Sequence, residues 1–178
     1  EMVRLERMIR PEIGIFTHLG DAHGENFESL QQKLEEKSVL FRDCKCVVGR
    51  QGEAMRYIAS AIGQDAVLLV WGEEEELPVK VRVKSVGLEG REVNVRYGQQ
   101  EFDVKIPFAD EASFENSMNA LCVLLYKNID PAVIAERIRG LQPVAMRMEI
   151  KEGINHCVLI NDYYNSDAAS FQLALNTL

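Results

Sequence analysis

Lys37 stands on a helix face that ought to be apolar. At about 100° per residue, Leu30, Leu34 and Phe41 fall within about 40° of one another on a helix predicted over Ser29 to Phe41, and Lys37 lands in the same sector. A buried ammonium ion is costly unless paired, and this helix already shows Glu35 and Glu36 to water. Two chemistries fit such a residue. One is a lysine that lays its stem along the core edge and keeps its amine wet. The other is an amine held partly neutral, able to react or be modified beside a phosphate or a metal.

Three further groups of polar residues could do chemistry. The loop Thr17-His18-Leu19-Gly20-Asp21-Ala22-His23 holds Asp21 and His23, which suit either a bound cation or ordinary loop polarity. Asn116 and Asn119, three residues apart near the start of a helix, share a face; their amides could read the donor and acceptor edge of adenine, or cap the helix. Asn161-Asp162-Tyr163-Tyr164-Asn165 follows a buried strand and precedes a helix, where turn chemistry is the alternative to ligand binding.

The elements that must position these groups are legible from periodicity. Met2 to Ile9 reads as a helix closed by Arg10-Pro11, and Ile13 to Phe16 as a strand. After the Lys37 helix come the strand Cys46 to Val48, a helix from Glu53 with Met55, Ile58, Ala59 and Ile62 on one face, and the buried strand Val67 to Trp71. This βαβ order implies a parallel sheet covered by helices, with ligands at the carboxyl ends of its strands. Beyond Glu73 to Glu76 the period becomes two. Val79/Val81/Val83, Val93/Val95/Tyr97 and Phe102/Val104/Ile106 predict a three-stranded antiparallel meander. Helices follow over Phe114 to Lys127 and from Pro131, capped by Asp130, to Arg139. Arg147 to Ile150, the strand Cys157 to Ile160 and a helix over Asp167 to Leu178 then begin a new unit. The chain opens inside one helix without an initiator methionine and closes inside another, so the expectation is a piece of a longer protein.

Composition narrows the class. The 178 residues are 47% hydrophobic, enough for a substantial core. Twenty basic against 28 acidic residues give a net charge of −8, which disfavours nucleic acid while allowing a small nucleotide carried with Mg²⁺. Apolar runs are of strand length, so no membrane span is expected. Cys44, Cys46, Cys122 and Cys157 form neither a zinc pattern nor a disulfide scaffold and suit a reducing cytoplasm.

Taken in order, these motifs resemble the Mur ligases, and within them the branch that adds D-alanyl-D-alanine to UDP-N-acetylmuramoyl-tripeptide. The family carries T-N-x-G-x-A-H, a phenylalanine and K-x-x-x-F, matched by Thr17 to His23, Phe27, and Lys37 with Phe41. Its H-N-x-x-N-A-L-A is matched by Glu115 to Cys122. An arginine after a G-L-x-P-like turn is matched by Gly140 to Pro143 with Arg147, and D-D-x-Y-N-A-N-P by Asn161 to Ala168. The resemblance implies an α/β fold made of the central ATPase domain over residues 1–142, a parallel sheet with helices plus a small antiparallel sheet, and the start of a C-terminal Rossmann-like domain over 143–178.

It also implies roles. Lys37 would be the lysine carbamylated by CO₂ into an oxygen ligand for Mg²⁺, with His23 near the second metal. Asn119, with Asn116 beside it, would contact adenine. Arg147, Asp162 and Asn165 would reach the ATP from the closing third domain. The implied reaction is cytoplasmic and serves peptidoglycan synthesis, and hence cell wall biogenesis, cell shape and cell division. ATP converts the tripeptide carboxylate into an acyl phosphate, which the dipeptide amine attacks.

His18, Glu115, Asn161 and Asp167-Ala168 depart from the family pattern and look like the subfamily fused to an alanine racemase, whose PLP would lie outside this chain. No G-x-x-x-x-G-K-[ST] loop occurs; the family places it upstream, so this chain alone is expected not to turn over ATP. A folylpolyglutamate or cyanophycin synthetase shares the architecture, but Asp162-x-Tyr164-Asn165 favours the dipeptide-adding branch. A non-catalytic nucleotide-binding module is the reading from another class.

Overall fold

Three short strands rich in Val, Ile and Leu set the frame: β1 (Ile13–Phe16), β2 (Cys46–Arg50) and β3 (Val67–Gly72), paired in parallel with Ile13 opposite Cys46 and Cys46 opposite Val67. In the computed structural model of the chain, residues 2–18, 29–143, 149–161, 171, 172 and 175 are described. The central strand β2 reads as unbroken apolar sequence because both its faces are covered. Cys46 and Val48 face α4 (Glu111–Tyr126) through the cluster that includes Met118 and Cys122. Val47 faces the opposite cluster, with Phe41 beyond α2 (Leu30–Ser38) and Met55 and Ile58 of α3 (Glu53–Ala61).

The period-two segment forms β4 (Val79–Gly87), β5 (Gly90–Tyr97) and β6 (Gln100–Ile106), antiparallel as expected. These strands continue the parallel sheet, giving one six-stranded sheet in the order β1 to β6. The join is β3 to β4, which pair in parallel only at Trp71 with Val79 and Gly72 with Lys80. Because the overlap is confined to the end of one strand and the start of the next, the chain has no strand length to retrace. The long crossover normal for parallel neighbours is therefore unnecessary.

Capping sets the helix starts. Ser29 Oγ accepts from the Gln32 amide at 3.1 Å to open α2, and Asp130 Oδ1 accepts from Ala132 at 2.8 Å to open α5 (Pro131–Arg139). Asp110 Oδ1 accepts from Ser113 at 2.8 Å, so α4 begins at Glu111, a turn earlier than the apolar periodicity from Phe114 suggests. Helix α1 (Met2–Ile9) buries no residue. In the last segment β7 (Glu149–Glu152) and β8 (Val158–Asn161) make a two-stranded antiparallel sheet. Of the final predicted helix, the described residues 171, 172 and 175 are helical.

The hairpin between β4 and β5 depends on Gly90, which sits at φ +116°; a Cβ there would collide with the Ile106 carbonyl oxygen and lie 2.9 Å from the Phe108 nitrogen. Both obstacles are backbone and cannot rotate away. Gly90→Ala is expected to destabilise the fold by about 1–3 kcal/mol, read as a lower urea midpoint. An unchanged midpoint would contradict that assignment.

Candidate functional site

Parallel strands that end on one side leave their next residues side by side there. Thr17 and His18 follow β1, while Arg50 ends β2 and leads through Gln51 and Gly52 into α3. Opposite them stands the first turn and a half of α4, held against β2 by Met118 and Cys122, which presents Glu111, Glu115 and Asn116. Together they enclose a cavity of about 630 Å³. It lies at the strand ends, where the βαβ pattern places a ligand.

One wall is a charged relay. Glu111 spans two arginines: its Oε1 pairs with Arg50 Nη1 and its Oε2 accepts from Arg91 Nη1 at 2.7 Å. Arg91 also donates to the Ala109 carbonyl at 2.8 Å. Each guanidinium lies over an aromatic ring, Arg50 at 5.5 Å from the Trp71 ring and Arg91 at 4.5 Å from Phe114, and the two rings meet edge to face at 6.0 Å. Burial works to raise the Glu111 carboxyl, but Arg91 and Arg50 outweigh it and hold the group below the usual carboxylate range.

Glu115 is the opposite case. Burial pushes its carboxyl above the ordinary glutamate range; Arg50, at 3.8 Å, and His18 offset this only in part, and Glu111 adds to it. The native state therefore binds this proton more tightly than the unfolded chain does. The penalty for ionising Glu115 is absent below its unfolded pKa and fully present above its folded pKa. Glu115→Gln is expected to raise the melting temperature at pH 7 relative to wild type and to lose that advantage toward pH 4. A melting temperature lowered at pH 7 would show that the pairing with Arg50 dominates instead.

The other sequence-chosen residues are distributed unevenly. Asn116 lines the cavity, whereas Asn119 is buried beneath it, with 1% of its surface exposed. Asn119 Oδ1 accepts from the Trp71 indole nitrogen at 2.7 Å, and its Nδ2 has no partner among the described residues. Lys37 is half-buried on α2 and does not line the cavity; the most buried lysine of that helix is Lys33, 3% exposed. Leu30, expected on the core face, is 59% exposed. It has the right angle on the wheel but sits in the first turn, beyond the end of the core. His23, Arg147, Asp162 and Asn165 lie outside the described residues, as do Asp21 and Phe27.

Arg50, Glu111 and Trp71 were not singled out by sequence. Arg50 did carry a signal, since it closes an apolar strand at its carboxyl end. Glu111 carried a weaker one, as an acid directly after a capping aspartate. Their meeting is long-range in sequence and leaves no periodic trace.

The fold and this strand-end cavity can be set beside known proteins. The Mur ligase middle domain matches residues 1–124. The UDP-N-acetylmuramoyl-tripeptide–D-alanyl-D-alanine ligase of Bacillus subtilis (strain 168) is 23% identical over 190 residues, covering 98% of this chain and 38% of that protein. Among solved structures, MurF from Acinetobacter baumannii superposes with a TM-score of 0.85 at 19% identity, covering 100% of this chain and 39% of its own. MurF ligase from Thermotoga maritima in complex with ADP gives 0.76 at 18% identity, covering 99% and 41%. The chain thus spans about two fifths of the length of these relatives. With more than half of its residues matched by the middle domain, and a cavity at the ends of that domain's parallel strands, the chain belongs to the Mur ligase family.

Proposed function

We propose that the chain forms most of the central nucleotide-binding domain, over residues 1–142, of a cytoplasmic ATP-dependent ligase that joins D-alanyl-D-alanine to UDP-N-acetylmuramoyl-tripeptide, with residues 143–178 beginning the next domain. The observation that carries this reading is the cavity between the carboxyl ends of β1 and β2 and the start of α4, which brings Thr17 and His18 of one motif against Asn116 of another. Its fold is shared along nearly the whole chain with a ligase that holds ADP.

In this reading Asn116 offers an amide to the nucleotide base, and Asn119, buried beneath the cavity, ties α4 to β3 by accepting from the Trp71 indole. By their match to the family motifs, Arg147, Asp162 and Asn165 would contribute nucleotide contacts from the following domain. ATP transfers its terminal phosphoryl group to the tripeptide carboxylate, and the dipeptide amine then displaces phosphate to leave an amide. The protein's part is to position the reactants, offset charge on the phosphoryl group and keep water from the acyl phosphate.

Mg²⁺ usually keeps several waters and takes one or two protein oxygens plus phosphate oxygens. Among the described residues no three His, Cys, Asp or Glu side chains converge as a metal site. A carbamate on Lys37, together with His23 of the matched loop motif, would supply the protein ligands that this chemistry asks for, and the ion would neutralise developing phosphate charge. Any PLP chemistry would belong to a fused racemase outside this chain.

The test is phosphate release by the intact protein with Mg-ATP, UDP-N-acetylmuramoyl-tripeptide and D-alanyl-D-alanine, each omitted in turn. Release that needs both peptide substrates is expected. Release that is indifferent to them, or dependent on other acid and amine pairs, would move the protein to a related synthetase.

A further inference from the structure

We propose that Arg50 is the residue of the cavity that binds the phosphate oxygens of the nucleotide, and that Glu111 is its positioning residue. This rests on the nucleotide reading of the cavity and adds to it a specific cation.

The two arginines of the relay are used differently. Arg91 is held by structure: its side chain is 13% exposed, Nη1 donates to Glu111 and Nη2 to the Ala109 carbonyl, the plane lies on Phe114, and its Nε is buried, with no hydrogen-bond partner among the described residues. Arg50 is 41% exposed and lines the main cavity. Among the described residues it meets carboxylates through Nη1 alone, Glu111 closely and Glu115 at 3.8 Å; its Nη2 and Nε make no hydrogen bond there. A guanidinium carries five donors in a planar fork suited to two oxygens of one phosphate. Nε and Nη2, which carry three of the five donors, therefore have no hydrogen-bond partner among the described residues.

Position supports the same role. Arg50 is the only lysine or arginine among the described residues that line the cavity. It stands two residues before Gly52, the N-cap of α3, where no side-chain oxygen caps the helix and the first-turn amides add a partial positive charge. Glu111 fixes where the fork lies, because it is itself held by Arg91, and Arg91 by Ala109 and Phe114. The arrangement runs Ala109, Arg91, Glu111, Arg50, from fixed backbone to cavity. Against an incoming anion stand Glu53, Glu111 and Glu115. Two arginines share the charge of Glu111, and Glu115 takes up a proton more readily than an ordinary glutamate, which lowers the repulsion.

Binding to the intact protein separates phosphate reading from base reading. ADP, adenosine and inorganic pyrophosphate would be titrated by calorimetry into wild type, Arg50→Ala, Arg50→Lys and Glu111→Gln. Arg50→Ala is expected to weaken ADP and pyrophosphate about tenfold, or about 1.4 kcal/mol, and to leave adenosine unchanged. Lysine should restore part of the loss, and Glu111→Gln should weaken ADP by a smaller factor while sparing adenosine. Unchanged ADP affinity in Arg50→Ala would overturn the assignment and leave the nucleotide site standing. Equal losses of ADP and adenosine would also overturn it, since they would mark Arg50 as structural. A wild type that binds neither would overturn the nucleotide reading along with it.

Discussion

Alanine at position 37 is expected to cut amide formation by the intact protein by about 10²–10³-fold, equivalent to about 2.7–4 kcal/mol of lost transition-state stabilisation. Lys37 is half-buried on α2, beside the buried Leu34 and a turn before the buried Phe41. The neutral amine is the form whose nitrogen can bond to the carbon of CO₂, releasing a proton and leaving an anionic carbamate oxygen for a hard cation. A lysine that merely snorkels has none of these consequences, and its removal would leave turnover intact. Lys37→Arg should be as inactive as the alanine variant, because it keeps the charge and cannot become the carbamate. Wild-type activity should fall in CO₂-free buffer and return with bicarbonate. Full activity in either variant would end the argument for Lys37. Lys33 makes an internal control: it is more deeply buried, so replacing it should be felt chiefly in stability.

Trp71→Ala is expected to destabilise the fold by about 3–5 kcal/mol. For a chain of this size that lowers the melting temperature by about 6–20 °C. Trp71 is 2% exposed and does three things at once. It fills the core between β3 and α4, meets Phe114 edge to face, and donates its indole hydrogen to Asn119. Trp71→Phe separates these roles, since it keeps a ring but strands Asn119 Oδ1 beside an Nδ2 that already lacks a partner among the described residues. That change should cost about 1–3 kcal/mol, and adding Asn119→Ala should cost less than the sum of the two single changes. Additive losses would mean that the indole–amide bond contributes nothing.

The fold was largely legible because its signals are local. The apolar run through Cys46, Val47 and Val48 marks a strand covered on both faces, and the alternation from Val79 to Ile106 marks the meander. Asp130 followed by Pro131 marks a helix start at the residue where α5 begins. The union of parallel and antiparallel strands into one sheet was not legible, since it rests on the two-residue pairing of Trp71 and Gly72 with Val79 and Lys80. On α2 the wheel gave angles but no axial position, so it placed Leu30 in the core and overlooked the buried Lys33. At the site, the motifs supplied Asn116 and the strand-end loops. The relay of Arg50, Glu111 and Arg91 joins three elements distant in sequence, and no spacing rule could have assembled it.

The claim that matters most is that a nucleotide occupies the strand-end cavity. Hydrogen exchange on the intact protein, with and without ADP, tests it segment by segment. Slower exchange is expected at Thr17 and His18, at Arg50 to Glu53 and at Glu111 to Asn116, with the β4–β5 hairpin tip at Gly87 to Gly90 unchanged. Protection confined to other segments, or no protection at saturating ADP, would contradict the account.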